Sequence, residues 1–170
     1  MNTKLITILI FMLVAMTIGC NSRVKNQETE EMKMDLINEK FPEAQAEIKE
    51  VLEGMFQSIK DKNSDQLYSY HAYGPKFSDF SGGMPRKGSE ENAENEKRMV
   101  SSMSSFDYQL NDLKIAVYGE VAIVSYHGNF RMVIGEETKQ MKTTTTLAFV
   151  KTENSWKIIH EHSSPLIEAE

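Results

Sequence analysis

Cysteine occurs once in the 170 residues, at Cys20, so no disulfide can form within the chain and any folded part must rest on packing and hydrogen bonds. Basic residues are outnumbered, 19 Lys and Arg against 25 Asp and Glu, for a formal charge of −6. A chain this acidic offers no basic face to phosphates, which excludes nucleic acid as the expected partner. Apolar sequence long enough to cross a bilayer is also lacking. The run from Leu5 to Ile18, interrupted by Thr7 and Thr17, falls short of the roughly 20 residues that a spanning helix needs. Behind a single charge, Lys4, it has the shape of an export signal instead. Histidine is scarce too, and two of the four stand together near the C-terminus, at His160 and His162.

The export run closes on Met16, Thr17, Ile18, Gly19 and Cys20. This resembles the cleavage box of bacterial lipoproteins, in which a small residue precedes a cysteine that is lipidated and becomes the new N-terminus; Thr17 stands where leucine is usual. The resemblance implies a signal peptide over 1–19, a lipidated Cys20, and a protein held on a membrane of the bacterial cell envelope, outside the cytoplasm. Residues 20–41 are polar, with Glu28, Glu30, Glu31, Lys33 and Lys40 interleaved, and read as a tether.

One domain is expected over 42–165, with a short tail at 166–170. Ala44, Ile48, Val51, Leu52, Met55, Phe56 and Ile59 recur at the spacing of one helical face, with Pro42 at the start and Asn63 placed to stop the helix. Ser64 and Asp65 are expected to cap a short second helix carrying Leu67 and Tyr68, which His71, Tyr73, Gly74 and Pro75 break. Phe77 and Phe80 flank Asp79 in a short strand, and Gly82, Gly83, Pro85 and Gly88 mark a loop. Ser89 is expected to cap a further helix with few apolar positions, ending near Ser104 or Ser105. Four strands follow, over 106–117, 120–134, 138–151 and 155–162, with separators short enough for hairpins. Helices first and hairpin-linked strands after predict an α+β domain with an antiparallel sheet.

These pieces together resemble a family. The long helix, the short helix from Ser64, the Gly/Pro loop, the helix at Ser89, the stretch from Asp112 to Val124 around Gly119, and the closing stretch from Trp156 to Ser163 look like the SnoaL-like branch of the nuclear-transport-factor-2-like superfamily. The resemblance spans about 42–165. It implies a cone-shaped roll: a bent antiparallel sheet wrapped around the long first helix, with a pocket at the wide end and a homodimer formed through the sheet. Members include isomerases, dehydratases, cyclases and modules without known activity, so the fold alone says little about function.

The closing strand supplies the candidate site. Strict alternation places Trp156, Ile158, His160 and His162 on one face and Lys157, Ile159 and Glu161 on the other, so the two imidazoles would point inward beside a tryptophan. His71 and Tyr73 are expected across the pocket. The strand around Tyr126 begins apolar on both faces, so the pattern leaves two alternatives: Ala122, Val124, Tyr126 and Phe130 inside, or Val121, Ile123, His127 and Arg131; the cost of burying Arg131 favours Tyr126. The expected pocket is therefore His71, Tyr73, Tyr126, Trp156, His160 and His162. Its expected occupant is a small, partly apolar or aromatic ligand, with His160 or His162 as acid–base residue if the domain is an isomerase, dehydratase or cyclase. Plainer alternatives are histidines that only satisfy internal hydrogen bonds, and a protein-interaction domain without a ligand. No cofactor is expected. No metal is expected either, because His160 and His162, even with His71 or His127, lack a cysteine or a matched carboxylate nearby.

Replacing Cys20 tests the anchor. Cys20→Ser should move the protein from the membrane to the soluble fraction on cell fractionation, and a variant that stays membrane-bound and uncleaved contradicts lipidation.

Overall fold

The computed structural model describes residues 34–167; the signal segment and Cys20 lie outside the described residues. Helix α1, Pro42–Lys60, begins with proline in its first turn, where the missing N–H has no helical partner to lose. It buries Ile48, Leu52, Met55, Phe56 and Ile59, the stripe that the spacing predicts. Helix α2, Ser64–Ser69, is capped by Asn63, whose side chain accepts from the Gln66 N–H at 3.0 Å. The cap thus falls one residue before the expected Ser64. Helix α3 covers Ser89–Ser102, with Gly88 in the cap position and no side-chain cap bond. Ser89 instead ties its hydroxyl to both the N–H and the C=O of Gly74, fastening the start of α3 to the segment after α2.

Among the described residues, one sheet holds β1 (Ser78–Ser81), β2 (Met103–Tyr118), β3 (Val121–Ile134), β4 (Glu137–Lys151) and β5 (Trp156–Pro165), in the order β1-β5-β4-β3-β2. The β2–β3 and β3–β4 hairpins turn at Gly119 and Gly135, with φ of +70° and +62°, a region where a side chain is strained and glycine is not. The expectation of a purely antiparallel sheet is corrected at one edge, where β1 pairs parallel to β5. No hairpin joins these two strands: α3 and the rest of the sheet lie between them in sequence, so nothing forces opposite directions.

The inner face of the sheet carries Ala122, Val124, Tyr126, Phe130 and Met132 from β3 and Leu147 and Phe149 from β4, packed with the buried stripe of α1 in one core. Each fully buried aliphatic or aromatic side chain there contributes roughly 1.5–3 kcal/mol of burial. On β5 the alternation breaks. Phe149 faces Ile158 while its neighbour Ala148 faces His160, so Ile159 is an extra residue, a β-bulge. Beyond it the faces exchange: Glu161 stands opposite buried Leu147 on the inner face, and His160 and His162 pass to the outer one. This corrects the expectation that the two histidines share a face with Trp156 and Ile158.

Candidate functional site

Glu161, turned inward by the bulge, meets His71. The segment after α2 runs beside β5, with the Ile158 N–H bound to the Tyr70 carbonyl at 2.9 Å and the Ala72 N–H to the Ile158 carbonyl at 2.8 Å. These two bonds hold His71 against the bulge. Its Nδ1 lies 3.1 Å from the Leu67 carbonyl, which can only accept, so Nδ1 carries a hydrogen and Nε2 points the other way. There it meets Glu161 Oε1 at 3.0 Å and Glu96 Oε1 at 3.5 Å. The His71 side chain is 0% exposed and each glutamate side chain 18%.

Helix α3 supplies the rest. Asn92 and Glu96, four residues apart, share the face turned to the cluster. The Tyr73 hydroxyl donates to Glu96 Oε2 at 2.9 Å; the Asn92 amide donates to the Tyr73 hydroxyl at 3.0 Å and reaches Glu161 Oε2 at 3.5 Å. The Tyr73 ring lies flat against the His71 ring, centroids 4.8 Å apart, and Phe77 meets Tyr73 edge-on. Asp79, buried on β1, is engaged separately by the Ser81 hydroxyl and by Lys87 Nζ at 3.2 Å.

One imidazole set against two carboxylates leaves the cluster short of positive charge, and its proton affinities respond. Burial, with the charges of Glu161 and Asp79, pushes the Glu96 carboxyl up to about 7, against the opposing pull of His71 and of the Tyr73 hydrogen bond. Burial disfavours the His71 imidazolium, but the hydrogen bond and charge of Glu161, joined by Glu96, outweigh it and raise His71 above its ordinary value. Burial and the charge of Glu96 drive the Tyr73 hydroxyl upward as well.

The cluster reaches the surface through Glu96 and Tyr73. A cleft of about 230 Å³ between α2 and α3 is lined by Ser64, Tyr68, Glu96 and Lys97 among others. A second, of about 370 Å³, runs along Tyr68, Tyr73, Gly74, Ser89 and Glu90. The two share Tyr68, Ala93 and Glu94, so they adjoin across these residues, with Glu96 in the wall of one and Tyr73 in the wall of the other.

Of the residues expected in the pocket, the structure brings His71 and Tyr73 together. Tyr126 is buried on the inner face, its hydroxyl bonded to Thr145 and its ring edge-on to Phe56. Trp156 donates its indole N–H to Glu47 at 2.8 Å and lines a different cleft, of about 310 Å³, with Tyr70 and Lys151. His160 is held against the edge strand β1 by Ser78, 2.9 Å from Nδ1, and meets Phe80 edge-on; His162 is exposed. Glu96, Glu161 and Asn92 are absent from the sequence-based selection. The stripe Asn92, Glu96, Val100 on α3, ending in a buried valine, is the signal that marks Glu96 as inward-facing.

The chain belongs to the SnoaL-like domain family, whose model matches residues 48–168. No curated protein matches it significantly. Among solved structures it is similar to a protein of the nuclear-transport-factor-2-like family from Streptomyces avermitilis, provisionally named a dehydratase. That match is 18% identical over 75% of this chain and 100% of the other, with a TM-score of 0.68. A superfamily member from Salmonella enterica serovar Typhimurium is 21% identical over 75% of this chain and 94% of its own, TM-score 0.67. A protein from Novosphingobium aromaticivorans, provisionally named a scytalone dehydratase, is 10% identical over 74% and 95%, TM-score 0.65. At these identities the likeness is one of fold: the α+β cone of this superfamily.

The electrostatics of the cluster give a pH dependence. Glu96 and His71 both hold protons more tightly in the fold than their ordinary values of 4.5 and 6.5, so the stability they contribute is full below those values. It is lost as pH rises, for Glu96 between 4.5 and about 7 and for His71 above 6.5. The midpoint of thermal unfolding should fall across this window and Glu96→Gln should flatten the fall. An equally steep profile in the variant contradicts the assignment.

Proposed function

We propose that the protein is a lipid-anchored small-molecule-binding module on the outer side of a bacterial membrane. Its ligand lies in the adjoining clefts beside α2 and α3, with an apolar or aromatic body against Tyr68 and Tyr73 and a polar group at Glu96. The observation that supports this most is that a buried polar cluster drawn from three parts of the chain opens at Glu96 and Tyr73 onto two adjoining clefts with tyrosine in their walls. The lipoprotein-like box at Cys20 and the charged tether behind it support the anchored location.

Two further readings attach to specific observations. If the bound molecule is turned over, by isomerase, dehydratase or cyclase chemistry, the group in reach of it is Glu96, backed by His71, rather than outward-facing His160 or His162. The exposed Tyr118, Val121 and Ile123 at one end of the outer sheet face favour a homodimer formed there, which leaves the clefts free.

Native mass spectrometry of the full chain from its own host tests the binding. A small molecule should be retained by the wild type, and Tyr68→Ala, which removes an exposed ring from the cleft wall and leaves the core intact, should lower its occupancy about tenfold, roughly 1.4 kcal/mol. A wild type with nothing bound, or equal occupancy in both proteins, contradicts the proposal.

A further inference from the structure

We propose that His71, Glu96 and Glu161 are the protein ligands of a divalent transition-metal ion, with zinc as the best chemical fit. One ligand atom from each residue can be chosen so that all three lie within 4.8 Å of one another. The closest spacings are 3.0 Å from His71 Nε2 to Glu161 Oε1 and 3.5 Å from His71 Nε2 to Glu96 Oε1. A tetrahedral ion bound at about 2.0–2.2 Å sets its ligands about 3.3–3.6 Å apart. The two imidazole–carboxylate spacings straddle the lower end of that range, and the two carboxylates lie within 4.8 Å of each other, so an ion drawn between them closes the set by side-chain rotation without moving an element of the fold.

The orientation of the imidazole is a second, independent observation. A metal-binding histidine ordinarily donates its other ring N–H to a carbonyl or carboxylate, which fixes the tautomer and aims the bare nitrogen at the ion. His71 is held in this way, with Nδ1 on the Leu67 carbonyl and Nε2 aimed between the two glutamates. The outer oxygens of the carboxylates are also engaged, Glu96 Oε2 by Tyr73 at 2.9 Å and Glu161 Oε2 by Asn92 at 3.5 Å. Both glutamates are thereby oriented toward the imidazole.

Charge points the same way. The His71 side chain is wholly buried and the glutamates are partly so. A single proton leaves two carboxylates undercompensated in that environment, whereas a dication with a neutral imidazole balances them. Imidazole and carboxylate donors without thiolate suit zinc and its first-row neighbours rather than a softer ion. Three protein ligands leave a fourth position, for water or for an oxygen of a molecule in the cleft that Glu96 lines. The inference rests on the binding reading above and extends it: the ligand class becomes a partly apolar molecule carrying a carboxylate, carbonyl or hydroxyl oxygen able to coordinate the ion.

The test is zinc binding by the full chain in detergent, stripped with chelator and titrated with zinc chloride in a calorimeter, with elemental analysis after gel filtration. One zinc per chain is expected. Glu96→Gln and Glu161→Gln, both close in shape to the native side chains, should each weaken binding at least about tenfold while circular dichroism shows them folded. His162→Ala, on the outer face, should bind as the wild type does. Zinc far below one per chain, unchanged affinity in both glutamine variants, or loss in His162→Ala instead overturns the site. A small molecule retained by a protein that takes up no zinc overturns the metal site alone; zinc uptake by a protein that retains no small molecule supports the metal site and counts against the ligand.

Discussion

Ile159 is one residue too many for its strand, and the site depends on that surplus. Up to Ile158 the inner positions of β5 are apolar and close the core. Past the bulge the inward position falls on a carboxylate. A bulge next to a functional site re-aims side chains in this way, and here it exchanges which of His160, Glu161 and His162 face inward. The exchange is held from outside the strand, by the two backbone bonds between Ile158 and the Tyr70–Ala72 segment. Those bonds also bring His71 to the place where Glu161 arrives, so one irregularity positions both halves of the closest pair.

A carboxylate turned into a protein must be compensated, because an unpaired buried charge costs several kcal/mol. Helix α3 supplies much of the compensation. Its buried residues are only Asn92 and Val100, too little apolar surface to dock a helix of 14 residues by itself. What holds it is polar: Ser89 on Gly74, Asn92 and Glu96 on Tyr73, Glu96 facing His71. The cluster and the seating of α3 are therefore one problem with one solution. Among the described residues no buried side-chain nitrogen or oxygen lacks a partner, which is the condition for such a network to stabilise rather than weaken a fold. The same dependence puts the cluster at the edge of a cleft, since a helix attached through polar groups to the segment after α2 leaves a gap beside Tyr68.

Much of the fold was legible in the sequence because it rests on periodicity and turn chemistry. The stripe from Ile48 to Ile59 names α1, and Gly119 and Gly135 mark two hairpins whose positive φ values only glycine adopts freely. The parallel pairing of β1 was not legible, since it depends on a long-range return of the chain rather than on any local pattern. Nor was the Asn63 cap, which competes with Ser64 and Asp65 of equal propensity. In the site, His71 and Tyr73 stand out as a rare histidine and an aromatic at a breakpoint. Their carboxylate partners do not. Glu96 sits in an acidic run that resembles a solvated face, and Glu161 is displaced by a bulge at Ile159, a β-branched residue indistinguishable in composition from its neighbours in the strand. A parity argument carried through Ile159 selects the two histidines, and only the register with β4 reveals the exchange.

The cluster, the seating of α3 and the cleft all depend on Glu161, not His160 or His162, facing His71. A double-mutant cycle on the chelator-stripped protein, with His71→Gln and Glu161→Gln followed by urea unfolding, measures that contact directly. The expected coupling is about 1.5–3 kcal/mol, the range of a hydrogen bond to a charged group, with near-additivity when His162→Gln takes the place of Glu161→Gln. Effects of His71→Gln and Glu161→Gln that add to within about 0.5 kcal/mol would contradict it.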